Sequence, residues 1–165
     1  MFDSVLSWID RMRAEYYINP HRVLEVGSFD NKGDGARPCF QDADEYVGID
    51  IKDGNNVDII MDVYDIRGVF DENYFDAVTC LHVLEHLPRP WEAIDYIGGV
   101  LKNGGYLFVS MPTLGFPRHD YPGDYWRATQ EAIKEVLLAD YQILNIEDDK
   151  SAISKHPFIN CLGRK

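Results

Sequence analysis

Arg22-Val23-Leu24-Glu25-Val26-Gly27-Ser28-Phe29-Asp30-Asn31-Lys32-Gly33-Asp34-Gly35 joins a short β-branched run to a loop of Gly, Asn and Asp. The run, Arg22–Val26, has the length and residue types of a strand, and Gly27 ends it. Runs of the same kind recur along the chain. Glu45–Ile49 ends on Asp50, Val57–Met61 on Asp62, Phe75–Leu81 runs into His82, and Tyr106–Met111 stops at Pro112. Tyr141–Ile146 and Phe158–Leu162 close the series, the latter with Pro157 at its start, where a missing N–H does least harm.

Between the runs lie amphipathic stretches. Residues 2–18 set Phe2, Val5, Leu6, Ile9 and Met12 at near-helical spacing, and Asn19-Pro20 ends them. A second helix is predicted over Trp91–Lys102 with Ile94, Ile97, Val100 and Leu101 inward. Asn103-Gly104-Gly105 stops it, because Gly or Asn accepts the left-handed conformation just past a helix. Thr129 reads as the N-cap of a third helix carrying Ile133, Val136 and Leu137, with Glu131 set favourably against the dipole. Strands alternating with helices make an α/β domain. Its weakest link is Lys52-Asp53-Gly54-Asn55-Asn56, too short and polar for the dozen or so residues that usually connect parallel strands.

Composition bounds the function. The 165 residues suit one domain, and 45% hydrophobic with 13% aromatic content can fill one core. Sixteen basic against twenty-eight acidic side chains give 16 − 28 = −12, with no dense basic patch, which argues against nucleic-acid partners and anionic membranes. Met-Phe-Asp-Ser has no charged and apolar leader, and no run approaches the roughly 20 apolar residues of a spanning helix, so a cytoplasmic protein is expected. Cys39, Cys80 and Cys161 are odd in number and widely spaced, which predicts reduced thiols without a disulfide or a thiolate zinc site.

The carboxyl ends of the first four strands carry Gly27, Asp50, Asp62 and Leu81-His82. Ligands of open α/β sheets bind outside those ends. A carboxylate there can accept from both hydroxyls of a ribose, and a second from the exocyclic amine of adenine. The plainer reading is that each Asp caps a turn.

Taken together and in order, Val23-Leu24-Glu25-Val26-Gly27, Val47-Gly48-Ile49-Asp50, Met61-Asp62-Val63, Phe75-Asp76-Ala77-Val78, Val83-Leu84-Glu85-His86-Leu87 and Leu101-Lys102-Asn103-Gly104-Gly105-Tyr106-Leu107 resemble the class I S-adenosylmethionine-dependent methyltransferases. The resemblance covers about residues 20–165. It implies a Rossmann-like, mostly parallel seven-stranded sheet of order 3-2-1-4-5-7-6, last strand antiparallel, in a three-layer sandwich. Residues 1–165 would form one domain, with 1–19 as a capping helix and 112–128 as a substrate loop. S-adenosylmethionine is the implied cofactor. Glu25 would orient the first loop, and Gly27, Ser28 and Phe29 would approach the cofactor's amino-acid end. Asp50 and Ile51 would hold the ribose, Asp62 and Val63 the adenine, and Leu81 and His82 would face the methionine moiety. The chain departs from the family's first motif, which repeats glycine at alternate positions: Phe29 and Asn31 stand there, and Gly33 and Gly35 come later. The GxGxxG spacing of nicotinamide dinucleotide sites is absent.

The Pro- and Gly-rich segment 112–128 concentrates His, Asp, Tyr, Trp and Arg, and loops this long are usually functional. Its Asp124-Tyr125-Trp126-Arg127-Ala128-Thr129 run resembles a motif of some small methyltransferases, in which it overlies the active site. Arg118, Asp120, Tyr125, Trp126 and Arg127 are therefore candidates for binding a small-molecule O or N acceptor. His119, then His82, are the candidate bases. The competing readings are an exposed loop histidine at 119, a packing or capping role for His86, and Trp126 and Arg127 as loop anchors. His119, Asp120 and Asp124 lack any fixed metal geometry, and no metal is expected. The alternative function is a catalytically silent module of the same fold that binds S-adenosylmethionine, S-adenosylhomocysteine or a partner protein. Pairing with a second copy of the chain is compatible with either.

Overall fold

A computed structural model describes residues 3–30, 33, 35–119, 122–149 and 156–165. Seven strands form one sheet: β1 (Arg22–Val26), β2 (Glu45–Asp50), β3 (Ile59–Ile60), β4 (Phe75–Leu81), β5 (Leu101–Pro112), β6 (Gln142–Asp148) and β7 (Phe158–Arg164). Their order across the sheet is β3-β2-β1-β4-β5-β7-β6, parallel from β3 to β5, with β7 antiparallel to both β5 and β6. Helix α1 (Asp3–Glu15) and the short turn Arg37–Phe40 cover one face. Helix α2 (Pro90–Val100) and the turn Val63–Gly68 cover the other.

Central strands buried on both faces explain the near-continuous apolar runs. Val23 and Ala77 point to the α1 side, while their neighbours Leu24 and Val78 point to the α2 side. On the α1 side Phe108 receives the edges of Trp8 and Phe40, each with centroids 5.8 Å away. Such pairs add about 1 kcal/mol each beyond the area they bury. Cys39, Cys80 and Cys161 are all buried and unpaired. No helix among the described residues is long and apolar enough to cross a membrane.

Four expectations are corrected. The β2–β3 link needs no helix because β3 pairs only with the last residues of β2, Ile49↔Ile59 and Asp50↔Ile60, so the chain never runs back along the strand. Asp58, expected within β3, instead accepts from the Gly48 N–H at 2.7 Å and pairs with Arg37. Leu101 already belongs to β5. Asn103-Gly104-Gly105 forms a bulge between the Phe75↔Leu101 and Ala77↔Tyr106 pairs, with Gly104 at φ +80°. The third helix, α3, is one turn, Gln130–Ala132, capped by Thr129 and followed by a π turn over Ile133–Leu137. Leu138 N–H bonds Ile133 O at 2.8 Å. That extra residue per turn rotates Leu138 into the core and leaves Val136 62% exposed.

Candidate functional site

The carboxyl ends of β1 to β4 open on one cleft of about 380 Å³, within the usual range for small-ligand sites. Its walls include Gly27, Phe29, Asp50, Ile51, Asp62, Val63 and His82, gathered from four strand ends.

Gly27 is constrained twice. It sits at φ +74°, where a side chain is strained, and a Cβ would come within 2.2 Å of Val83 Cγ2. The N–H groups of Gly27 and Ser28 both donate to Ile49 O at 2.9 Å, tying the loop to β2. Phe29 N–H donates to Asp50 Oδ2 at 3.2 Å, and the ring turns toward Gly54 and the ammonium of Lys52, 4.3 Å from its centroid. The large residue in the first loop thus lies along the β2–β3 link. Asp50 also accepts from Lys52 N–H at 3.0 Å, and Asp62 caps the Val63–Gly68 turn through Tyr64 N–H at 3.1 Å. Both Asp residues therefore set the local backbone and still line the cleft.

Glu25, Ser28 and Leu81 stand behind the cleft wall and are all buried. Glu25 is the buttress of the loop. Oε1 accepts from Ala36 N–H at 2.9 Å, and Oε2 from the Tyr46 hydroxyl at 2.8 Å and from Asn56 Nδ2 at 2.5 Å. Gly35, at φ +60°, has no room for a Cβ because the Glu25 carboxylate oxygens lie 2.7 and 2.8 Å from where it would be. The displaced glycine is thus explained by the buried acid beneath it. Burial raises the Glu25 pKa from 4.5 to about 7 despite these donors and the nearby Arg37.

At the end of β4, His82 holds φ +55°, a strained conformation for a non-glycine residue that costs on the order of 1 kcal/mol and is often found at functional sites. Its N–H bonds Ser110 O at 2.9 Å, and its ring edges onto Phe158 at 5.0 Å. The turn Leu84–His86 follows. His86 lines the cleft and holds Gly123 O through Nδ1.

The 112–128 segment folds back onto that turn. Ala128 N–H to Pro112 O at 2.9 Å closes its base, and Tyr125 N–H to Glu85 O and Trp126 Nε1–H to Leu87 O, both at 2.8 Å, pin it. Tyr125, Pro122 and Gly123 complete the cleft wall. Arg127 is occupied inside the segment, gripping Asp124 with both terminal nitrogens and the carbonyls of Phe116 and Pro117. That guanidinium holds the Asp124 carboxyl well below the usual carboxylate range. Trp126 packs on Trp91, and Arg118 is exposed. Asp120 lies outside the described residues, as does Asn31.

His119 does not line the cleft. Its ring stands 4.8 Å from that of His86, and its Nε2 lies 3.5 Å from Glu85 Oε1. Glu85, read in the sequence only as part of a turn signature, is the residue that sequence reasoning missed. It is fully buried, with His82 Nδ1 at 3.7 Å and His86 Nε2 at 3.8 Å from the same oxygen. A glutamate beside a histidine inside an apolar run was the available signal. Burial alone would raise the Glu85 pKa, but the imidazoles of His119 and His82 outweigh it and hold the group at about 2. The Glu85 carboxylate raises the pKa of His119 in turn.

Residues 1–140 match a family model described as a methyltransferase domain. Among curated proteins, the chain is 33% identical over 60 residues to the ubiquinone biosynthesis O-methyltransferase of Nitrosomonas europaea, covering 36% of this chain and 26% of that protein. It is 43% identical over 42 residues to the enzyme of the same name from Glaesserella parasuis, 26% of this chain and 18% of that protein. The match thus spans about a quarter or less of these relatives. Among solved structures, the 1,6-didemethyltoxoflavin-N1-methyltransferase of Burkholderia thailandensis superposes with a TM-score of 0.76 at 15% identity, over 98% of this chain and 78% of that one. A SAM-dependent methyltransferase from Archaeoglobus fulgidus gives 0.68 at 18% identity, over 97% and 94%. At such identities the likeness is one of fold.

Proposed function

The chain belongs to the methyltransferase-domain family, of the class I S-adenosylmethionine-dependent type, and on that premise we propose that it methylates an oxygen or nitrogen of a small molecule held between the cleft and the 112–128 segment. The observation that carries the reading is the convergence of Gly27, Asp50, Asp62 and His82 from four strand ends on one cleft.

The residues present fit the cofactor. Gly27 leaves bare a cradle that a Cβ would fill, two carboxylates stand at adjacent strand ends, and Ile51, Met61 and Val63 offer apolar surface between them. Asp50 would accept from the ribose hydroxyls, and Asp62 from the adenine amine, with Ile51 and Val63 against the rings. Gly27 and Phe29 would line the amino-acid end, which Glu25 and Ser28 shape from behind. His82, with Leu81 behind it, would face the methionine moiety. When bound, S-adenosylmethionine supplies an electrophilic methyl group on its sulfonium.

The chain's own work is alignment. In-line methyl transfer depends chiefly on holding the acceptor at the right distance and angle, and it needs a base only if the acceptor must lose a proton. Tyr125, Pro122 and Gly123 form the acceptor side of the cleft. Trp126 and Arg127 act by anchoring the segment that carries them. Of the two candidate bases, His82 is the one we assign beside the acceptor, since it lines the cleft and His119 stands behind His86. An oxygen acceptor draws support from the O-methyltransferase names of the partial relatives.

Calorimetry with S-adenosylhomocysteine, followed by methyl-transfer assays on phenols, alcohols and amines, tests the reading. Binding plus turnover of one class is expected. Failure of the folded protein to bind the cofactor product would overturn it, and binding without turnover on any acceptor would leave a silent binding module.

A further inference from the structure

The Glu85 carboxylate is fully buried, and among the described residues neither of its oxygens has a hydrogen-bond partner. A buried carboxylate is costly unless charged neighbours face it, and here His119 Nε2, His82 Nδ1 and His86 Nε2 stand 3.5, 3.7 and 3.8 Å from Oε1. What faces it is specific. His86 Nδ1 is committed to Gly123 O, and a carbonyl only accepts, so Nδ1 carries the proton and Nε2 is the nitrogen turned to Glu85. His119 repeats the arrangement, with Nδ1 directed to Pro117 O at 3.4 Å and Nε2 toward Glu85 Oε1 at 3.5 Å. In that tautomer each imidazole aims a lone pair at the carboxylate, an arrangement that a proton on Nε2 or a metal cation between the groups makes attractive.

One donor atom from each of Glu85, His86 and His119 lies within 4.8 Å of the others. Around a small divalent ion, with bonds of roughly 2.0–2.2 Å, neighbouring ligands stand roughly 3–3.5 Å apart. The 3.5 and 3.8 Å separations from Glu85 Oε1 need only a small contraction, and a bound ion would draw all three ligand atoms inside their present 4.8 Å limit. The two Nδ1–H groups on backbone carbonyls are the second-row contacts that fix a ligating histidine's tautomer and ring plane. Two imidazoles and one carboxylate suit zinc, cobalt or ferrous iron and disfavour calcium or magnesium.

We infer that Glu85, His86 and His119 form a binding site for a divalent transition-metal ion of the zinc class, set in the wall of the cleft. Three protein ligands leave at least one coordination position open. His86 itself lines the cleft, so an oxygen of the acceptor can fill that position. This use of the ion rests on the methyltransferase reading; metal binding does not. The site differs from the His119, Asp120 and Asp124 grouping considered from sequence. Asp124 is spent on Arg127 and stands 3.7 Å from His119 Nδ1, where it steadies the ring from behind.

The test uses Co²⁺ alone, titrated into the full chain after chelator treatment and dialysis. The expected result is one ion per chain, with visible bands of a four- or five-coordinate N/O site. His119→Asn, at a partly exposed position, should weaken binding about tenfold or more, and so should Glu85→Gln. Calorimetry with S-adenosylhomocysteine on the same samples reports separately on the fold and on the cofactor reading, and should be unchanged in His119→Asn. Absence of the bands in the wild type, or bands of wild-type strength in His119→Asn or in a His86→Ala/His119→Asn double variant, would overturn the site. So would nitrogen NMR of the cobalt-treated protein showing both nitrogens of His119 protonated.

Discussion

Glu25 makes the stability of this fold depend on pH in a direction opposite to that of most carboxylates. Its pKa is 4.5 in an ordinary setting and about 7 when buried, so between these values the folded chain holds a proton that the unfolded chain has released. Stability contributed by this group is therefore fully present below about pH 4.5, falls as pH rises, and is lost above about pH 7. With those two values, the linkage relation gives a loss on the order of 2–3 kcal/mol between pH 5 and pH 8. Glu25→Gln removes the titration. The variant has its own cost, since an amide cannot accept from Ala36, Tyr46 and Asn56 together, but that cost does not vary with pH in this range. Urea unfolding of both proteins from pH 5 to pH 8 isolates the effect: wild type minus variant should fall by roughly 2–3 kcal/mol across the series. A flat difference, or one that rises with pH, would refute the reasoning, because it would mean that the three hydrogen bonds and Arg37 outweigh burial.

Three further outcomes follow from the geometry. Gly27→Ala places a Cβ against Val83 in a left-handed residue, so it should lower stability by about 2 kcal/mol and abolish detectable calorimetric binding of S-adenosylhomocysteine. Asp50→Ala should weaken that binding about tenfold or more with a smaller loss of melting temperature, whereas equal affinity would remove Asp50 from the ribose site. Arg127→Lys cannot reproduce the two-pronged grip on Asp124. Limited proteolysis should then cut faster within 112–128 while S-adenosylhomocysteine affinity stays within about twofold.

Much of this architecture was legible because buried parallel strands write themselves as β-branched runs. Arg22–Val26 and Phe75–Leu81 have the expected bounds, and the strand order matches the one implied by the family resemblance. The errors have local causes. Val57–Met61 has strand composition, but the Asp58 side chain is taken by Gly48 and Arg37, which leaves two residues to pair. Ile133, Val136 and Leu137 have helical spacing, but the chain there takes the wider π turn over Ile133–Leu137, which shifts Val136 out to solvent. At the site, seven of the ten residues assigned to the cofactor lie on the cleft, while Glu25, Ser28 and Leu81 lie beneath it. Glu85 could not be singled out from spacing alone. Its significance depends on His119, which is 34 positions away and arrives only when the 112–128 segment folds back.

The pinning of that segment bears on how such a chain could be re-engineered. Tyr125, Trp126 and Gly123 all bond to residues 85–87, which lead directly from the strand end that carries His82. The 112–128 segment and the cleft wall at the end of β4 are therefore one interlocked part. Grafting residues 112–128 onto another scaffold would keep their conformation only if residues 82–88 travelled with them. On the proposed function, the unit to exchange in order to alter specificity is the pair of segments.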